Sequence, residues 1–148
     1  MRYLLISMLM IATLGVVVAQ AEEPPAKPTA TLTVEVEGVN MLGGNIGVMV
    51  FRTAKGWPED NGAAYRAVVV PAHQGTVVVK VANLPVGEYA IAVGHDVNIN
   101  RKVDRNWLGK PTEQWGMSNN PHPKLKTPEF SKAKFIVGGD EEIDIQMQ

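Results

Sequence analysis

The chain has 148 residues, with 14 Lys or Arg, 15 Asp or Glu and no Cys. The lack of cysteine excludes disulfides, thiolate metal sites and thiol catalysis. Because the basic residues are scattered and the net charge is only −1, the composition argues against nucleic acid as a partner. The length suits a single domain with its own hydrophobic core.

The first 21 residues have the pattern of a secretory signal peptide. Arg2 gives a positive start, residues 4–18 are apolar, and Ala-Gln-Ala at 19–21 fits the small-x-small cleavage rule. The apolar run is shorter than the roughly 20 residues that span a bilayer. We therefore expect cleavage after Ala21, which leaves 127 of the 148 residues. The mature protein is then expected to be periplasmic or secreted and to have no membrane span.

The chain then passes from a leader into strands. Residues 22–30 (EEPPAKPTA) are rich in proline and predict an extended leader. From residue 31 onward, apolar side chains recur at every second position, which is the period of a half-buried strand. Residues 32–36 predict a first strand and residues 46–51 a more central one. Gly43-Gly44 between them predicts a hairpin turn.

The rest of the chain continues this rhythm apart from one long segment. Further strands are predicted at residues 66–70, 76–82, 88–95, 132–137 and 142–147, with a turn at 83–87. About seven short strands predict one all-β domain over residues 31–148, an antiparallel β-sandwich of immunoglobulin-like or transthyretin-like topology. Residues 96–130 contain no convincing strand. Loops of that length are commonly functional or ion-bound, so we expect an ordered loop folded against one end of the sandwich.

The start of this long loop carries a regular series of oxygen-bearing side chains. Asp96, Asn98, Asn100 and Asp104 occupy relative positions 1, 3, 5 and 9, and Lys102 at position 7 offers a backbone carbonyl. This is the spacing with which a single loop surrounds calcium. The alternative is a loop whose Asp and Asn side chains cap their own backbone turns.

The series lacks the bidentate glutamate that closes an EF-hand, because position 12 is Trp107. A calcium site here would need a further ligand, for which Glu113, Asn119 and Asn120 are candidates. With only two charged ligands, we expect weak calcium binding and no other cofactor.

A second candidate site is a ligand pocket formed by His95, Trp107, Trp115, Asn119 and Asn120. Tryptophans can stack on sugar rings, but they can also plug the open end of a sandwich. We favour the plug for Trp57, Trp107 and Trp115, because aromatic side chains bury a large apolar area.

Several segments together resemble an exported bacterial family catalogued as domain of unknown function 2141. They are an L-P-x-G-x-Y strand entry (84–89), an H-D-x-N-x-N-x-x-x-D loop (95–104), an L-G-x-P step (108–111), a G-x-S-N-N segment (116–120) and a final strand with Phe135. The resemblance implies a fold and a compartment but no reaction. Family loops usually carry Gly at the position of Arg101, where the bend often needs a left-handed backbone.

The function expected from these residues is a non-enzymatic binding or structural module of the cell envelope, because no nucleophile–base pair is evident. Its partner would be an envelope protein or a glycan, and we expect a monomer. One alternative is a hydrolase or lyase that acts on a glycan through His95, Asp96 or Glu113. Another is a metal-free carbohydrate-binding module.

Overall fold

The computed structural model of the protein describes residues 27–122 and 126–148. The predicted signal peptide and most of the predicted leader lie outside these residues. Thr29 and Ala30, which the sequence assigned to the leader, are the first residues of a strand. Within the described residues, no helix is both long enough and apolar enough to cross a membrane.

Eight strands are present in the described residues, against about seven predicted. The elements are β1 (Thr29–Val39), β2 (Asn45–Phe51), β3 (Arg66–Pro71), β4 (Gly75–Pro85), β5 (Gly87–Asp96), β6 (Trp115–Met117), α1 (Phe130–Ala133), β7 (Phe135–Val137) and β8 (Glu141–Gln146). A smaller sheet has the order β4-β1-β8, and a larger sheet has the order β3-β2-β5-β6, with β7 paired to β5. The all-β sandwich is confirmed. Its pairs are antiparallel except for β1 and β8, which run parallel.

The alternation that predicted the strands also builds the core between the two sheets. On β1, Leu32, Val34 and Val36 are fully buried, and on β2, Ile46 and Val48 meet them from the other sheet. Burial of one such aliphatic side chain contributes about 1.5–3 kcal/mol. The buried residues of these strands therefore follow the period-two pattern.

The predicted hairpin at Gly43-Gly44 is wrong, although the turn itself is present. Both glycines have positive φ (79° and 70°). A Cβ on Gly44 would lie 2.1 Å from the carbonyl oxygen of Asp96, so only glycine fits there. The strands on either side do not pair with each other, because β1 pairs with β4 and β8, whereas β2 pairs with β3 and β5. The turn carries the chain from one sheet to the other.

Three further predictions need correction. Residues 83–85, predicted as a turn, belong to the end of β4. Residues 132–137, predicted as one strand, contain the end of α1 followed by the short strand β7. The segment 96–130 also contains β6 and an isolated bridge between Arg105 and Pro111, so it is not a single loop.

The outer face of the larger sheet is also partly covered. Ala90 on β5 points away from the main core and joins a second apolar cluster with Met117 and Ala133. Trp57 packs edge-on against Phe51, with ring centroids 5.3 Å apart. One end of this outer face is thereby closed by the segments around residues 57 and 130.

Candidate functional site

The Asp/Asn loop begins where β5 ends, and His95 fixes that end. His95 is fully buried, and its Nε2 lies 2.8 Å from the carbonyl oxygen of Gly43. Since a carbonyl only accepts, Nε2 carries the hydrogen. The backbone N–H of His95 donates to the carbonyl of Gln114 at 2.9 Å. His95 thus ties β5 to the β1–β2 turn and to the far end of the loop.

Asp96 organises the first turn of the loop through its carboxylate. Oδ1 accepts the backbone N–H of Asn100 at 2.9 Å, and Oδ2 accepts the backbone N–H of Arg101 at 2.6 Å. The backbone of Arg101 is left-handed, with φ of 65°. This is position 6 of the series, where a calcium loop of this type has glycine for its sharp bend.

The other three side chains of the series meet at Asp104. Its Oδ2 accepts the Asn98 amide at 2.7 Å, and its Oδ1 accepts the Asn100 amide at 2.8 Å. The amide oxygen of Asn98 accepts the backbone N–H of Asn100, and that of Asn100 accepts the backbone N–H of Lys102. Three of the four predicted ligand side chains therefore bond to one another, whereas Asp96 bonds to the backbone of the same loop. The Asn oxygens also cap backbone turns.

Glu113 closes the base of the loop from outside the series. It is only 7% exposed, and its two carboxylate oxygens accept the backbone N–H groups of Val97 (2.8 Å) and Asp104 (2.9 Å). Thr112 returns a further hydrogen bond to the carbonyl of Asp104. The sequence named Glu113 as an extra ligand or a catalytic group. In the structure, Glu113 joins the two ends of the loop through these hydrogen bonds.

The donor set of the loop is sparse for a metal site. Within residues 27–122 and 126–148, no group of three or more His, Cys, Asp or Glu side chains is placed to hold an ion. The series supplies two carboxylates and two amides. Hard oxygen ligands of this kind suit calcium better than zinc or iron, and the low charge favours weak binding.

The five residues of the predicted ligand pocket are not brought together. Asn120 lies along β8, where its side chain accepts the N–H of Gln146 at 2.8 Å and donates to the carbonyl of Asp144 at 3.1 Å. Asn119 donates to the carbonyls that flank the end of α1. Both residues have positive φ and hold backbone segments in place.

The three tryptophans have different environments. Trp57 is half-buried, and its Nε1 donates to the carbonyl of Pro128 at 2.8 Å. Trp115 packs at the second apolar cluster on the outer face. Trp107 is 90% exposed at the tip of the turn that Arg105 and Pro111 close. None of the three plugs an end of the main core, because two cover the outer face of the larger sheet and the third faces solvent.

Sequence reasoning missed a groove on the outer face of the larger sheet. The groove has a volume of about 850 Å³ and runs between the Asp/Asn loop and the middle of β2 and β3. Its floor follows one cross-strand row, in which Val69, Gly47 and Gly94 are direct neighbours. Val103 of the loop overhangs Gly94, where a Cβ would lie 3.0 Å from Val103 Cγ2. The glycines therefore give the groove its depth.

The comparisons with known proteins agree with the resemblance noted above. The model of a family described as "uncharacterized protein conserved in bacteria (DUF2141)" matches residues 34–146. No curated protein and no solved structure is significantly similar to the chain. The match covers every strand of the sandwich from within β1 to the end of β8.

Proposed function

Because the chain belongs to this family of uncharacterised bacterial proteins, which supplies no reaction, we propose a function from the loop itself. The protein is an exported, non-enzymatic binding or structural module whose Asp/Asn loop holds one calcium ion. Asp96, Asn98, Asn100 and Asp104 supply the side-chain ligands, and Lys102 supplies its backbone carbonyl.

The observation that carries this proposal is the bend at position 6. A non-glycine residue in the left-handed region costs about 1–2 kcal/mol, yet Arg101 is held there and donates to the carboxylate at position 1. The same bend directs the side chains at positions 3, 5 and 9 toward one another. Ile99 at position 4 is left-handed as well, with φ of 60°, so this short loop holds two non-glycine residues in the strained region.

The hydrogen bonds of the loop also support a low affinity. Calcium would displace the two amide donors from Asp104 and recruit the Asn oxygens, each of which keeps a second lone pair beside its backbone N–H. The ion must compete with two charge-assisted hydrogen bonds. A dissociation constant on the order of 10⁻⁴–10⁻³ M suits extracellular modules.

The positions of the candidate catalytic groups favour a binding module over a glycan hydrolase. His95 is buried within the fold, and both carboxylate oxygens of Glu113 accept backbone N–H groups. Both side chains hold the backbone of the loop in place and are almost wholly shielded from a bound sugar. Trp107 is the one exposed member of the tryptophan set, which gives limited support to a carbohydrate-stacking surface.

Thermal unfolding in calcium and in EDTA tests the proposal. At 10 mM calcium the ion would be in about 10- to 100-fold excess over the dissociation constant, which stabilises the fold by roughly 1.4–2.7 kcal/mol. We expect the Tm to rise by at least about 4 °C. Asp104→Asn should abolish the rise, whereas the matched variant Asp144→Asn, an exposed carboxylate on β8, should keep it.

An equal Tm in calcium and EDTA would contradict calcium binding and leave the loop as a set of backbone caps. The export part of the proposal has its own measurement. Mass spectrometry of the protein from the periplasm or medium should give a chain that begins at Glu22.

A further inference from the structure

The groove on the outer face of the larger sheet has the composition of a ligand site. We propose that it binds a single-chain amphiphile with an apolar tail and an anionic head, with the tail on the sheet and the head at Arg101 and Lys102. Ligand sites are typically concave, of about 300–1,000 Å³, and mostly apolar with a few charged groups. The groove, at about 850 Å³, has these properties.

The apolar part of the groove is the sheet itself. Gly47, Met49, Ala67 and Val69 face outward from β2 and β3, and none carries a charge. Val69 is 63% exposed in the middle of β3. The outer face of β1 in the smaller sheet instead carries Thr and Glu side chains. On the neighbouring β4, the exposed Val78 is followed two residues later by Lys80, so the smaller sheet has no apolar row like that of β2 and β3.

The shape of this surface suits one extended chain. Val69 stands on one side of Gly47, and Val103 covers Gly94 on the other side. A Cβ on Gly47 would meet only the carbonyl oxygen of Gly94, at 3.9 Å, so the space above it is open. A groove with an aliphatic side chain on either side of two glycines accommodates a single hydrocarbon tail better than a bilayer surface.

The charged groups at the rim of the groove differ in whether they have a partner within the protein. Glu59 is paired with Arg105, the Asp96 carboxylate accepts two backbone N–H groups, and Asp104 accepts two amides. Arg101 and Lys102 line the groove, and neither makes an ion pair with a described residue. The hydrogen-bond donors of the rim that are left for a ligand therefore include the two cationic side chains of Arg101 and Lys102, and the group that pairs with them is an anion.

This inference goes beyond the calcium loop and does not depend on it, so the test is run in EDTA. Sodium laurate, below its micelle concentration, is titrated into the mature protein by isothermal calorimetry. We expect saturable 1:1 binding. Affinity should rise about two- to fourfold for each CH₂ added from octanoate to laurate, fourfold being the factor for complete burial.

Two pairs of variants locate the ligand. Gly47→Val places its Cβ in ordinary contact with the floor and should weaken laurate binding at least tenfold, whereas Gly139→Val, at another glycine with open space, should not change it. Lys102→Gln should weaken binding about two- to fivefold, the size expected of an exposed ion pair. Lys80→Gln, on the outer face of β4, should leave it unchanged. If Gly47→Val does not fold, Val69→Asp replaces it, because an exposed side chain tolerates the change.

Several results would overturn the proposal. They are an absence of saturable binding, an unchanged affinity in Gly47→Val, and equal binding of neutral dodecyl maltoside. Binding to phosphatidylglycerol vesicles without binding of monomeric laurate would assign the face to a membrane. A dimer in light scattering that Val69→Asp converts to a monomer would assign it to a second copy of the chain.

Discussion

Replacement of Glu113 by Gln separates the structural role of this side chain from a catalytic or metal-binding one. The substitution keeps the shape of the side chain but replaces one carboxylate oxygen with an NH₂ group. One of the two backbone N–H groups that Glu113 now satisfies, at Val97 or Asp104, would then face a donor.

The size of the effect follows from the two contacts. A hydrogen bond to a charged group contributes about 1.5–3 kcal/mol, and a neutral one about 0.5–1.5 kcal/mol. In Glu113→Gln, one hydrogen bond is weakened and the other is lost, and the side chain is only 7% exposed. The free energy that holds the loop closed should therefore fall by about 2–4 kcal/mol. The loop can open without unfolding the sandwich, so the change in global stability is smaller than this.

Hydrogen exchange measured by NMR in EDTA reports the loop directly. We expect the Val97 and Asp104 amides to exchange about 30-fold faster or more in Glu113→Gln, which corresponds to the lower limit of 2 kcal/mol. Glu142→Gln, an exposed glutamate on β8, is the matched control and should change neither amide. Unchanged exchange at both amides would refute the assignment of Glu113 to the base of the loop.

Two other sets of variants test the packing of Ser118 and of the tryptophans. The buried hydroxyl of Ser118 accepts the backbone N–H of Ile91 at 2.9 Å and donates to a carbonyl of α1. Ser118→Ala should therefore lower the free energy of unfolding in urea by about 2–4 kcal/mol. The control Ser131→Ala, at an exposed serine, should be nearly neutral. Trp57→Ala should cost about 3–5 kcal/mol, whereas Trp107→Ala should stay within about 0.5 kcal/mol because Trp107 is 90% exposed; comparable losses for the two tryptophans would contradict the packing described above.

The strands could be predicted because their signal is local. Alternation on β1 and on β4, where Val77, Val79 and Val81 are buried, is visible within a few residues of sequence. The pairing of strands is not local. Gly43-Gly44 favours a hairpin by its turn chemistry, but the competing partners of β1 are β4 and β8, which lie far along the chain.

The short strand β6 was missed for a different physical reason. The strand β6 has three residues and contains Gly116, so it lacks both length and β-branched side chains. The structure explains the glycine, because a Cβ there would lie 2.7 Å from Ile145 Cγ2. The need for glycine at residue 116 comes from the close approach of β6 to β8, which the sequence does not show.

The same distinction between local and non-local signals applies to the Asp/Asn loop and to the groove. The Asp/Asn series was visible because its ligands are spaced within one loop, and the structure does bring Asn98 and Asn100 onto Asp104. The groove could not be foreseen, because Gly47 and Gly94 become neighbours only through the register of β2 against β5.

The family-like segments divide into those that the fold explains and those that it does not. The L-P-x-G-x-Y entry is explained by the Tyr89 hydroxyl, which donates to the carbonyl of Pro85 at 2.5 Å. The S-N-N segment is explained by Ser118, Asn119 and Asn120, which hold β5, α1 and β8 together. The loop that starts at Asp96 differs, because the side chains of Asp96, Asn98, Asn100 and Asp104 bond within the loop and do not hold strands together. Since this loop also forms one wall of the groove, an ion that stiffened it would fix the position of that wall, and the two sites would be coupled through the same residues.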